Sequence, residues 1–138
     1  MKISSADELR QLGEKLGQTL RGGEVIELIG DIGAGKTTFT QGLARGLAIK
    51  SAITSPSFTI SNTYESEKGL ILRHYDFYRL NDAGIMKDEI FESINNPKII
   101  TVVEWGDSVR GVLPEDRQTI EIKYSENPES REVLGVDL

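Results

Sequence analysis

The chain of 138 residues has no cysteine and a single histidine, His74. Without thiols there is no disulfide and no thiolate metal centre, and one imidazole alone makes a poor zinc site. The lack of cysteine agrees with a reducing compartment. No apolar run approaches the ~20 residues of a membrane span, and the start, Met1-Lys2-Ile3-Ser4-Ser5, lacks the apolar centre of a signal peptide, so a soluble cytoplasmic protein is expected. Positive charge is also short: 16 Lys and Arg stand against 22 Asp and Glu, a net charge of −6. That balance argues against a domain that holds nucleic acid by general phosphate attraction, and any RNA connection is expected to run through a partner. There is no internal repeat, low-complexity tract or long linker, and the 38% hydrophobic and 28% charged residues are ordinary for a globular protein. One domain spanning residues 1–138 follows.

What the chain does have is Gly30-Asp31-Ile32-Gly33-Ala34-Gly35-Lys36-Thr37, a G-x-x-x-x-G-K-[ST] segment between the apolar run Val25–Ile29 and a helix-compatible stretch from Thr38 to Ile49. Gly33 and Gly35 permit the backbone conformations and close approach that aim successive N–H groups at phosphate oxygens, and the following helix adds its positive end. Lys36 brings a point charge to the β- and γ-phosphates. Thr37 offers a hydroxyl to Mg²⁺, whose other ligands are phosphate, water and usually one carboxylate. A nucleoside triphosphate with Mg²⁺ is therefore the expected ligand. The bland alternative is a glycine-rich turn with a solvated lysine.

Around this loop the pattern predicts an α/β fold, a single P-loop NTPase domain with a central mixed sheet flanked by helices. Ser5-Ala6-Asp7-Glu8 has the form of a capping box, and Leu9, Leu12, Leu16 and Leu20 continue as one helical stripe that Gly22-Gly23 stops. The helix after the loop is weakened by Gly42 and Gly46. Phe58–Tyr64 and Leu70–Tyr75 read as a hairpin around Glu65–Gly69. Asn81-Asp82 can cap a helix to about Ile94, and Ile99–Val103 reads as a central strand. Gly106–Gly111 is a short helix, and Thr119–Tyr124 with Arg131–Val136 form a closing antiparallel pair.

An acid at the end of an apolar strand completes the usual P-loop site, and Glu104 directly follows Ile99–Val103. Asp76 leaves the second hairpin strand inside His74-Tyr75-Asp76-Phe77-Tyr78-Arg79, and is either a second site carboxylate or a turn former. His74 is read as structural. Trp105 is either a wall of the site or packing at the sheet edge. Phe77 and Tyr78 mark a partner surface or pack the core. Arg79 and Arg131 are candidates for phosphate contact, though most arginines only solvate a surface. Thr54-Ser55-Pro56-Ser57-Phe58 places hydroxyls on a stiffened loop where many P-loop proteins sense the γ-phosphate.

Taken in order, four segments resemble one family: Gly30 to Phe39, Thr54 to Phe58, His74 to Leu80, and Val103-Glu104-Trp105-Gly106 with Leu113-Pro114-Glu115-Asp116. Over nearly its whole length the chain is similar to the TsaE (YjeE) family, small bacterial P-loop ATPases that support threonylcarbamoyladenosine (t6A) modification of tRNA at position 37. The resemblance implies that Thr37 and Glu104 bind Mg²⁺ and that Gly33, Ala34, Gly35, Lys36, Thr37 and Thr38 wrap the phosphates of ATP. It implies that Asp76 lies near the γ-phosphate and serves hydrolysis together with Lys36 and Glu104. Arg131 falls where the family has a nucleotide-contacting arginine, and Ser5 or Ala6 would border the base. It further implies a weak ATPase that acts on a heterodimer of TsaD and TsaB to allow turnover, with tRNA held by those partners. The competing readings are a small-molecule kinase and a nucleotide-sensing module without hydrolysis. A GTP switch is disfavoured because neither N-K-x-D nor D-x-x-G occurs.

Overall fold

The structure is a computed structural model that describes residues 1–54, 61–78, 84 and 86–136. Its elements in chain order are β1 (Lys2–Ile3), α1 (Ala6–Thr19), β2 (Val25–Ile29), α2 (Lys36–Gly46), β3 (Ser61–Glu65), β4 (Ile71–Asp76), α3 (Met86–Ile94), β5 (Ile99–Glu104), a 3-10 turn (Gly106–Val109), β6 (Gln118–Tyr124) and β7 (Arg131–Leu134). All the strands join one sheet in the order β1-β7-β6-β2-β5-β4-β3. The four inner strands β6, β2, β5 and β4 run parallel, and the outer pairs β3–β4, β6–β7 and β1–β7 run antiparallel. The mixed α/β sheet is thus as the pattern predicts. The two-residue strand β1, which borders β7, is not predicted, because Lys2-Ile3 is too short to carry a strand signal.

Ser5 caps α1 by accepting the Glu8 N–H at 3.1 Å. The return contact is displaced by one residue from a capping box: the Glu8 carboxylate takes the N–H and the hydroxyl of Ser4, at 2.9 and 2.7 Å. Leu9, Leu12 and Leu16 then bury the predicted stripe. They join Phe39 and Leu43 of α2, Leu47 just after it, and Ile26, Leu28, Ile100, Val102 and Ile120 of the sheet in one cluster. The opposite face is covered by α3, whose Ile90 meets Tyr75, Phe77 and Val103. A buried hydroxyl pair, Ser93 to Thr101 at 2.7 Å, ties α3 to β5.

The glycines read as weakening α2 are the reason it fits. Gly13 and Gly17 of α1 face Gly42 and Gly46 of α2, and a Cβ at Gly42 would lie 2.1 Å from the Arg10 carbonyl oxygen. At Gly13 it would lie 2.4 Å from the Phe39 carbonyl oxygen. The two helix backbones therefore touch, as helices do where small residues recur every fourth position on both. The helix begins at Lys36, two residues before Thr38, and ends at Gly46 rather than Ile49. Its end is set by Ala48, held at φ 60°, with Ala48 N–H on Arg45 O and Ile49 N–H on Ala44 O. Those two bonds form a Schellman motif, in which a left-handed residue closes the helix.

Candidate functional site

The site lies where the inner strands end. Strand β2 gives way at Gly30 to the loop that opens α2, so the loop stands beside the carboxyl ends of its parallel neighbours β5 and β6. Crevices outside the carboxyl ends of parallel strands are where open α/β sheets take ligands. Gly33 and Gly35 have φ of 80° and 120°, conformations that other residues rarely adopt. There is no room for a side chain either: a Cβ at Gly35 would meet Leu9 Cδ2 at 2.6 Å, and one at Gly33 would meet Tyr124 Oη at 2.9 Å. Because Gly35 is the N-cap, no side chain caps the first N–H groups of α2. That end presents N–H groups and a positive dipole to an anion.

Lys36, the first residue of α2, is buried, with its Nζ donating to the Gly30 carbonyl at 2.6 Å. The same ammonium lies 3.9 Å from Glu104 Oε1 and 4.1 Å from the centroid of the Trp105 ring. Burial pushes its pKa below the ordinary lysine value, against the opposing pull of Glu104, Asp76 and Asp31. Thr37 and Thr38 follow, half-buried, in the first turn.

Two carboxylates come to the loop through strand register alone. Glu104 ends β5 and Asp76 ends β4, and the two are direct partners across the parallel pair, with Leu28 of β2 on the other side of Glu104. Asp76 is half-buried and accepts the Tyr78 N–H at 3.0 Å. Burial raises its pKa; the Tyr78 N–H opposes that shift, and the charge of Glu104 adds to it. Glu104 is buried, and its Oε2 accepts a short hydrogen bond from Nε2 of His74, which is wholly buried. The other ring nitrogen, Nδ1, has no partner among the described residues. A buried polar atom left so costs about 1–3 kcal/mol.

The donor set fits magnesium. The Thr37 hydroxyl and the Glu104 carboxylate offer hard oxygen donors of the kind Mg²⁺ takes, and the described residues offer no group of three or more His, Cys, Asp or Glu that would hold an ion without phosphate. Mg²⁺ is commonly held in that way, by one or two side chains plus phosphate oxygens and water.

The walls come from three places. Trp105 has a left-handed backbone, φ 56° and ψ 49°, and its ring covers Lys36 on one side and meets the Tyr78 ring at 4.9 Å on another. It is a wall of the site. Phe77 instead is buried against Tyr75, while Tyr78 is half exposed. Behind Trp105, the buried Glu27 of β2 binds Arg110 Nε at 3.1 Å and Arg117 Nε at 2.9 Å, fastening the segment after β5 to the sheet. On the far side of the loop, Tyr124 Oη donates to Ile32 O at 2.8 Å and Arg131 Nε donates to Ala34 O at 2.8 Å. The guanidinium of Arg131 lies on the Tyr124 ring. Arg131 thus divides its N–H groups between the phosphate-loop carbonyls of Ala34 and Gly33 and the carbonyls of Pro128 and Ser130, while lining a cavity of about 480 Å³ that also borders Ser5, Ala6, Gly33, Gly35 and Thr38. A second cavity, of about 520 Å³, opens beside Lys36 and Trp105.

Lys36, Glu104 and Asp76 therefore share one place, with Gly33, Ala34, Gly35, Thr37 and Thr38 around it and Arg131 behind the loop. Of the Thr54 to Phe58 segment only Thr54 is among the described residues, and Arg79 and the Asn81-Asp82 cap lie outside them. Sequence reasoning missed the reach of His74 to Glu104 and the prop that Tyr124 gives the loop. The first had one readable signal, the two-residue spacing that puts His74 and Asp76 on the same face of a strand. The second had none.

Strand, glycine loop and helix in this arrangement are the architecture of a P-loop nucleotide-binding protein. The family model described as threonylcarbamoyl adenosine biosynthesis protein TsaE matches residues 3–133. The chain belongs to the TsaE family. It is 36% identical over 129 residues to the tRNA threonylcarbamoyladenosine biosynthesis protein TsaE of Streptomyces coelicolor, covering 93% of this chain and 87% of that one. With the protein of the same name from Bacillus subtilis it shares 36% over 125 residues, 89% of this chain and 76% of the other. Among solved structures it is similar to the crystal structure of Bacillus subtilis YdiB, with a TM-score of 0.74 and 33% identity, covering 96% of this chain and 80% of that one.

Proposed function

We propose that the chain binds ATP with Mg²⁺ at Gly33 to Thr38, hydrolyses it slowly, and through that cycle serves the formation of threonylcarbamoyladenosine in tRNA. The observation that carries this reading is the register pairing of Asp76 with Glu104 beside Lys36, at the end of the strands that flank the phosphate loop. Lys36 would leave the Gly30 carbonyl for the β- and γ-phosphates, the N–H groups at the start of α2 would take phosphate oxygens, and Asp76 would orient the attacking water. Thr37 and Glu104 would hold Mg²⁺, which neutralises charge developing on the phosphates. In the described residues, none of Arg110, Arg117 and Arg131 is free for the γ-phosphate: two bind Glu27 and the third binds the loop. A slow ATPase by itself, raised by a partner, is the consequence.

The names of the relatives speak for the pathway, and the acidic charge speaks for tRNA being held by other proteins, here a TsaD–TsaB heterodimer in the cytoplasm. No helix among the described residues is long and apolar enough to cross a membrane. Residues 61–76 are taken up by the strand pair β3–β4, which leaves little chain for the lid of a small-molecule kinase. The test is reconstituted t6A formation with TsaD, TsaB, tRNA and threonylcarbamoyl-adenylate. With Glu104→Ala the first round of modification is retained and further rounds are lost. Sustained modification by that variant, with hydrolysis abolished and ATP still bound, would make the protein a nucleotide sensor instead.

A further inference from the structure

Nothing in the phosphate-loop pattern explains why a fully buried histidine leans on the site carboxylate. His74 and Asp76 lie two residues apart on β4, so both side chains stand on the sheet face that carries α1 and α2. His74 is opposite Val102 of β5, and Glu104 is two residues further along the same strand and on the same face. The ring reaches forward to Glu104, and Nε2 bonds Oε2 while Oε1 turns toward Lys36. With Glu104 as the carboxylate, which can only accept, Nε2 is the donor, and Nδ1 is left without a partner among the described residues. An apolar side chain at position 74 would leave no such atom stranded. The imidazole is there for what Nε2 does.

We infer that His74 is a positioning residue for the magnesium site: by holding Oε2 of Glu104 it fixes the carboxylate so that Oε1 alone faces the loop and the metal. The inference rests on the reading of this place as a Mg²⁺–nucleotide site. Its logic is that of a metal ligand oriented by a hydrogen bond from behind, where loss of the orienting group weakens metal binding without removing a ligand.

The test separates metal affinity from nucleotide affinity and from folding. ATP binding is measured by calorimetry in EDTA and across a Mg²⁺ titration, for the native chain, His74→Leu and His74→Gln, with unfolding midpoints recorded for each. In His74→Leu the EDTA affinity is unchanged while the Mg²⁺ concentration needed for the gain in affinity rises about 10- to 100-fold. His74→Gln, whose amide can donate to the same oxygen, returns it to within a few-fold of native. If the leucine chain does not fold, His74→Asn replaces it, with the amide on a stem one carbon shorter. An unchanged Mg²⁺ requirement in the leucine or asparagine chain, or an equal loss of ATP binding with and without Mg²⁺, would overturn the inference. A native chain that gains nothing from Mg²⁺ would overturn the nucleotide reading and this inference with it.

Discussion

At the scale of single residues the site is held by groups kept away from water, and their ionisation follows. Asp76 carries a raised pKa because burial disfavours its charge. The folded chain therefore keeps a proton that the unfolded chain has released, and stability falls as pH rises from the ordinary aspartate range through the raised value. Asp76→Asn keeps an oxygen for the Tyr78 N–H but has no charge to bury. Its thermal midpoint should exceed the native one at pH 8, with the gain vanishing as the solution is made acid enough to protonate Asp76, while hydrolysis is lost throughout. Scanning calorimetry at both pH values checks the sign. A lower midpoint for the variant at pH 8 would mean that Asp76 is stabilised by its neighbours instead.

The loop, its lysine and Glu104 were legible because each is specified by neighbours in the chain: eight residues for the loop, one apolar strand for the acid. His74 was not, since the group that gives it a task lies 30 residues away and meets it only through the register of β4 on β5. Trp105 could not be assigned to wall or edge for the same reason. Its covering of Lys36 depends on a left-handed backbone that no local propensity foretells.

At the scale of elements, the strands and helices follow their patterns, and boundaries move where tertiary contact decides. Gly42 illustrates this: a helix considered alone would prefer alanine by about 1 kcal/mol, but here the backbone of α1 fills the space. Gly42→Ala is expected to destabilise the protein by about 1–3 kcal/mol through overpacking, measured by denaturant unfolding. Gly111→Ala, where a Cβ meets nothing within 4 Å, should be close to neutral. Similar values for the two would mean that α1 and α2 do not touch backbone to backbone. At the other end of α2, Ala48 is left-handed where glycine is usual. Ala48→Gly should therefore raise stability by about 1 kcal/mol without changing the loop chemistry. A destabilised variant would argue against the observed helix end.

At the scale of the whole molecule, one sheet carries the loop strand between β5, which brings the acid, and β6, whose Tyr124 props the loop from behind. The two cavities on either side of the loop separate a side lined by Ser5, Ala6 and Arg131 from a side lined by Lys36 and Trp105. In the proposed reading the base takes the first side and the γ-phosphate the second, which would then be the face for a regulating partner to reach. Arg110, Arg117 and Arg131 are engaged with Glu27 or with backbone carbonyls, which agrees with the proposed dependence of hydrolysis on a partner.

Phosphate release from Mg²⁺–ATP, by the purified chain alone and with TsaD–TsaB and tRNA, compared among the native chain, Lys36→Ala and Glu104→Ala, tests this account most directly. Slow release that the partners accelerate, falling about a hundredfold or more in both variants, is the predicted result. Release that ignores the partners and survives Glu104→Ala would contradict it.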